Sequence, residues 1–190
     1  MASYEDASEG SRDLLRRVDL AVLEPIEAYA LRAILEYEGL RVNWLPIATW
    51  EELQHLLEGT ESPAEHLVIC CHGDERGIVV EGLPPEDDAG VPPPARLTPE
   101  LVRRHARLHG RVVIASGCAA GSAEMAYAFL DAGCAAYIAP DGYPQSALLF
   151  LHRLYHELAA GAELAVAADA ARDQDDDGRF FRLWSTAVTP

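Results

Sequence analysis

The most constraining feature of this chain is a rhythm in which short apolar runs alternate with segments of helical period. His66-Leu-Val-Ile-Cys-Cys71 is apolar without alternation, the pattern of a strand buried on both faces of a parallel sheet. Val18 to Glu24, Leu40 to Ile47, Arg111 to Ser116 and Cys134 to Ala139 read the same way. Between them run helical patterns. Pro25 to Tyr37 places Ile26, Tyr29, Ala30, Ala33 and Ile34 on one face, and Gly39 stops it. Thr49-Trp-Glu-Glu52 has the spacing of a capping box and opens a helix to Glu58, ahead of a turn at Ser62-Pro63. Thr98-Pro99-Glu100 starts the next helix with a capping hydroxyl and a proline at the first helical position. Ser122 to Ala132, Gln145 to Ala160 and Ala162 to Arg172 complete the set. Gly77 to Gly82 reads as a small strand or hairpin arm, and Leu83 to Ala95 as the one long, proline-rich loop, taken as an exposed linker. An acidic linker, Asp173 to Asp177, and an aromatic end at Phe180, Phe181 and Trp184 close the chain. Strand and helix in strict alternation predict an α/β fold, a doubly wound and mostly parallel central sheet with helices on both faces.

Length and charge bound the function. The 190 residues suffice for one core, read as a flexible lead over 1–15 and a single domain over 16–190. Fifteen basic residues, all Arg, face 31 acidic ones, a net of −16. A field this negative repels phosphate, and the one local cluster (Arg103, Arg104, Arg107) reads as a solvated helix face, so no nucleic-acid partner is expected. No apolar run is long enough to span a bilayer and the acidic start lacks a signal core, so a cytoplasmic, membrane-free protein is expected. The four cysteines (Cys70, Cys71, Cys118, Cys134) sit in strand-like segments, where reduced thiols fit better than a disulfide framework.

In doubly wound sheets chemistry collects beyond the carboxyl ends of the strands. Two such ends stand out. The third strand runs into His72-Gly73-Asp74, and the fourth into Ser116-Gly117-Cys118 directly before the next helix. Neighbouring strands would bring an imidazole and a thiol to one rim, with the helix N-terminus favouring a thiolate. Such a pair attacks carbonyls and protonates the leaving amine. The Gly73 and Cys118 backbone amides are candidates for the oxyanion hole.

Four segments carry a family resemblance: His66 to Gly73, Leu97-Thr-Pro-Glu-Leu101, Val112 to Cys118, and Met125 to Gly133. They resemble the CHAT domain, a bacterial caspase-like group of cysteine peptidases related to caspases, separases and gingipains. The resemblance spans roughly Val18 to Arg172 and is most specific from Arg111 to Ala139. The histidine stands 46 residues before the cysteine, near the caspase spacing. It implies a three-layer caspase-like sandwich with His72 as general acid and base and Cys118 as nucleophile. The implied substrate is a protein or peptide, with no cofactor and no metal, in a regulated processing or defence role whose activating or sensor protein is on another chain.

The chain departs from the family at Gly117, where Ala is common, and at Cys71, ahead of the His-Gly pair. Ala139-Pro-Asp-Gly-Tyr143 replaces a Trp-containing segment. Asp141 and Asp74, with Ser116, are the candidate substrate-binding residues, and an acidic pocket there would favour Arg or Lys before the cleaved bond. Two alternatives stand beside the peptidase: a catalytically silent interaction module on the same fold, and a small-ligand α/β domain. The pairs His105/His109 and His152/His156 have the spacing of helical zinc ligands but no third ligand near in sequence, and read as surface histidines. His55 and His66 have no evident partner.

Overall fold

A computed structural model describes residues 17–59, 62, 64–80, 82–84 and 93–186. The lead over 1–15, Pro63 of the turn and most of the 83–95 loop lie outside them. Six strands form the main sheet: β1 (Arg17–Val22), β2 (Arg41–Pro46), β3 (His66–Cys70), β7 (Val112–Ala115), β8 (Ala136–Pro140) and β9 (Phe181–Ser185). Their spatial order is β2-β1-β3-β7-β8-β9. Every neighbouring pair is parallel except β8 with β9. Three short strands, β4 (Gly73–Asp74), β5 (Gly77–Val79) and β6 (Arg96–Leu97), make a separate antiparallel sheet directly after β3.

The sheet is the middle of three layers, because successive strand residues point to opposite faces. Leu67, Ile69 and Cys71 pack with α2 (Trp50–Glu58), α3 (Pro99–His105) and α4 (Ala123–Asp131). Val68 and Cys70 pack on the other side with α1 (Pro25–Tyr37), α5 (Leu148–Ala159) and α6 (Leu164–Arg172). Both faces of the interior strands are therefore apolar. That double burial is why their sequences read as continuous runs rather than alternations.

Local signals set most boundaries. Thr49 accepts from the Glu52 N–H at 3.2 Å while Glu52 accepts from the Thr49 N–H at 3.0 Å, closing the capping box. Gly59 ends α2 in the left-handed region at φ 69°. Four expectations need correction. Thr98 makes no capping hydrogen bond to the α3 backbone; its hydroxyl turns to the Glu100 carboxylate instead. The face of α1 that packs is Ala28, Leu31 and Leu35, whereas Ile26 and Tyr29 are exposed. This helix carries two apolar stripes; Tyr29, on the one turned from the sheet, stacks on Trp44 of the edge strand at 5.1 Å. The aromatic end, given no element in the sequence reading, is β9, whose Phe181 is fully buried against Phe150 of α5. The fourth correction, that Cys118 does not stand at the start of α4, bears on the site itself.

Candidate functional site

β3 and β7 are adjacent and parallel, so the segments that leave their carboxyl ends emerge side by side. Two glycines let them touch backbone to backbone. A Cβ on Gly73 would lie 2.4 Å from the Cys118 carbonyl oxygen, and one on Gly117 would lie 2.9 Å from the His72 carbonyl group. Any side chain at either position would wedge the two segments apart. Beneath them Ser116 is buried. Its hydroxyl accepts from the Cys71 N–H at 3.1 Å and faces the Cys71 carbonyl at 3.3 Å, bracing the two strand ends.

His72 and Cys118 both line one cavity of about 560 Å³, together with Ser116, Glu24, Glu27 and the 144–148 segment. The His72 side chain is 73% exposed, and its Nε2 lies 3.3 Å from a carboxylate oxygen of Glu24. The other Glu24 oxygen accepts from the Ile26 N–H at 2.8 Å, capping α1. One carboxylate thus fixes a helix start and flanks the imidazole at once. Cys118 is half-buried, with its thiol 3.8 Å from the Pro144 carbonyl oxygen. Burial pushes this thiol above the usual cysteine range, and the charges of Glu27 and Asp177 push it further; its own N–H pulls the other way. The Cys118 N–H has no backbone carbonyl partner among the described residues.

The expected helix N-terminus at Cys118 is absent. Residues 118–121 form a turn, held by Ala119 N–H to Gly142 O and Gly121 N–H to Pro140 O, both 2.7 Å, and by the Tyr137 hydroxyl on Ala120 O at 2.9 Å. The helix begins at Ala123 under the Ser122 cap. The macrodipole acts mainly within the first turn of a helix, so it gives the thiol little help. Burial and the nearby carboxylates favour the neutral thiol.

The acidic candidates lie elsewhere. Asp141 pairs with Arg182 at 2.9 Å and Asp74 with Arg96 at 2.9 Å, and neither lines the cavity. Desolvation raises the Asp74 carboxyl, but hydrogen bonds from Arg96 and Arg76 outweigh it and hold the group below its ordinary value. The carboxylates that do line the cavity are Glu24 and Glu27. Glu27 accepts from the Ser146 hydroxyl at 3.2 Å and the Ala147 N–H at 3.0 Å, tying the 144–148 segment to α1. The sequence signal for both was Glu24-Pro25, an acid before a proline at a helix start. His152 and His156 approach Glu38 at 3.0 and 3.3 Å, and among the described residues no group of three or more His, Cys, Asp or Glu could hold a metal ion. No helix among the described residues is long and apolar enough to cross a membrane.

No protein-family model matches the sequence, and no curated protein does. Among solved structures the chain is similar to the crystal structure of drICE, a caspase, at 10% identity and a TM-score of 0.42, over 90% of this chain and 88% of that one. That likeness assigns no residue a role.

Proposed function

We propose that this chain is a caspase-like cysteine endopeptidase of the CHAT kind, with His72 and Cys118 as its dyad. The observation that supports the reading most is that an exposed imidazole and a half-buried thiol open into one cavity, on segments joined through Gly73 and Gly117. Because burial keeps the thiol protonated at rest, the proton leaves Sγ for His72 as the sulfur attacks the peptide carbonyl. The Gly73 and Cys118 N–H groups would receive the developing oxyanion. Collapse of the tetrahedral adduct breaks the C–N bond, and His72 returns the proton to the departing amine. Water, activated by the same imidazole, then releases the acyl group and restores the thiol.

Among the described residues Glu24 and Glu27 line the cavity and no Arg does, so a basic residue beside the scissile bond is the favoured substrate. In this reading they replace Asp141 and Asp74, whose charges are already matched. The substrate is a protein or peptide, and an activating or sensor protein on another chain would trigger processing. The test is a fluorogenic peptide panel with Arg, Lys, Asp or Leu before the cleaved bond. Cleavage should favour Arg and Lys and fall by about a thousandfold or more in Cys118→Ala. Alkylation of Cys118 near neutral pH should slow by on the order of a hundredfold in His72→Ala. Cleavage that survives in Cys118→Ala ends the assignment, and equal, slow alkylation with and without His72 favours the silent module.

A further inference from the structure

α1 carries more apolar surface than the sheet consumes. Ala28, Leu31 and Leu35 are buried, while the second stripe faces outward, with Ile26 84% exposed and Tyr37 82%. Ala30 and Ala33 lie between them at helical spacing, so the four residues form one band along the cylinder. Tyr29 stands at the edge of the band, 66% exposed and stacked on Trp44, whose ring also carries the Arg32 guanidinium at 5.8 Å. Large apolar residues scattered singly over a surface need no explanation, but three on one helix make a patch, and such patches mark interaction surfaces. Neither the core nor the dyad accounts for these side chains.

The patch is continuous with the candidate site. Ile26 and Ala30 line the His72–Cys118 cavity with Glu24, Glu27 and Leu148, so the cavity runs along the first turns of α1 and opens onto the band. A chain held there by a basic side chain at Glu24 and Glu27, and leaving along α1, crosses Ala33 and reaches Tyr37. A helix rises 1.5 Å per residue, so the band is about 16 Å long, the span of about five residues of extended chain. Alternate side chains of such a chain face one way, and the small Ala30 and Ala33 leave room for them against the helix. A second copy of this protein fits less well, because each copy carries a net charge of −16 and two such fields repel. Arg32 and Glu36, beside the band, are paired with each other at 2.8 Å, which leaves the band itself to apolar contact. We propose that the outward stripe of α1 is a docking face for the substrate, taking an apolar segment of about five residues that flanks the basic residue held in the cavity. This rests on the peptidase reading of the cavity and narrows its substrate class to a basic residue with alternating apolar residues on one flank.

Binding is measured apart from cleavage, on the full chain carrying Cys118→Ala, by fluorescence anisotropy of labelled peptides. Three peptides share one Arg. The first has Leu and Phe alternating with Ser over the five residues before it, the second has the same pattern over the five after it, and the third has only Ser on both sides. One of the apolar-flanked peptides should bind at least about tenfold more tightly than the Ser peptide, the effect of one large side chain taken out of water. Ile26→Ser and Tyr37→Ser, both at exposed positions where the fold tolerates change, should each cut that gap severalfold and together erase it. The docking face is overturned if the three peptides bind alike or not at all, or if the preference survives in the double variant. It is also overturned if the wild type is a dimer that these substitutions dissociate, which would assign the patch to a second copy. Wild-type protein separates the two readings. Cleavage of all three peptides with one kcat/KM keeps the peptidase and removes the docking face, whereas an apolar preference in binding with no cleavage keeps the docking face and removes the peptidase.

Discussion

Two histidines flank one strand and live in opposite worlds. His66 opens β3, its Nδ1 3.1 Å from the Tyr155 hydroxyl, and burial, then the Arg111 charge, pushes it down to about 4. It is an imidazole held against Tyr155 at the edge of a cavity of about 690 Å³. His72 follows the end of the same strand, 73% exposed beside Glu24. The chain spends its buried polar bonds at the amino end, where Asp19, Arg111, Ser62 and Asn43 lock the corner. At the carboxyl end the segments meet backbone on backbone through Gly73 and Gly117 over the buried Ser116 hydroxyl, and His72 and Cys118 face a cavity. In a parallel sheet one end can carry stability while the other carries reactive groups.

That division is broken most severely at Arg111. Arg111→Gln leaves the Asp19 carboxylate buried without its cation, and removing one partner of a buried pair costs about 3–5 kcal/mol. His72→Ala, on an exposed side chain, should stay within about 0.5 kcal/mol of wild type. Urea unfolding of the two variants measures both. A loss below about 1 kcal/mol in Arg111→Gln would mean that the amino end is not the anchor described here.

His66 sharpens the same contrast through pH. Its native value of about 4 lies below the ordinary 6.5, so the unfolded chain binds a proton that the folded chain refuses. The contribution is complete above pH 6.5 and drains away as the pH falls from 6.5 to about 4. The full difference is on the order of 3 kcal/mol at one tyrosine-bonded site. Stability curves at a series of pH values should show this drop in the wild type and a flatter profile in His66→Phe. Equal slopes in the two proteins would count against a buried neutral His66.

The layers of this fold were legible because double burial writes continuous apolar runs, and five strands and the capping box at Thr49 could be read from them. What was not legible depended on partners far along the chain. Phe181-Arg-Leu-Trp-Ser185 looks like a tail until β8 is there to pair with it. The α1 stripe that packs is chosen by the sheet, not by the helix. At the candidate site, His72-Gly73 and Gly117-Cys118 stand out as residue types at strand ends. The turn over 118–121 does not, because Gly142 and Pro140 hold it from 23 and 19 residues away, against Ala119 and Gly121. The acidic positions misled for a related reason. Asp141 and Asp74 look available in sequence, and only the fold reveals Arg182 and Arg96 beside them.

Glu24 gives the finest test of the contrast, since it serves structure with one oxygen and the proposed chemistry with the other. Glu24→Gln keeps an oxygen to accept from the Ile26 N–H, so the α1 cap and the stability should hold within about 0.5 kcal/mol. It removes the negative charge that flanks the His72 Nε2. We expect kcat to fall roughly tenfold, about 1.4 kcal/mol, with KM little changed. Glu24→Asp, which restores charge but draws it back by one methylene, should recover part of the loss. A merely structural residue would show the reverse: a lower Tm in both variants, and kcat unmoved once the folded fraction is counted. Should Glu24→Gln leave kcat intact, the carboxylate belongs to the helix alone, and His72 is oriented by something other than this contact.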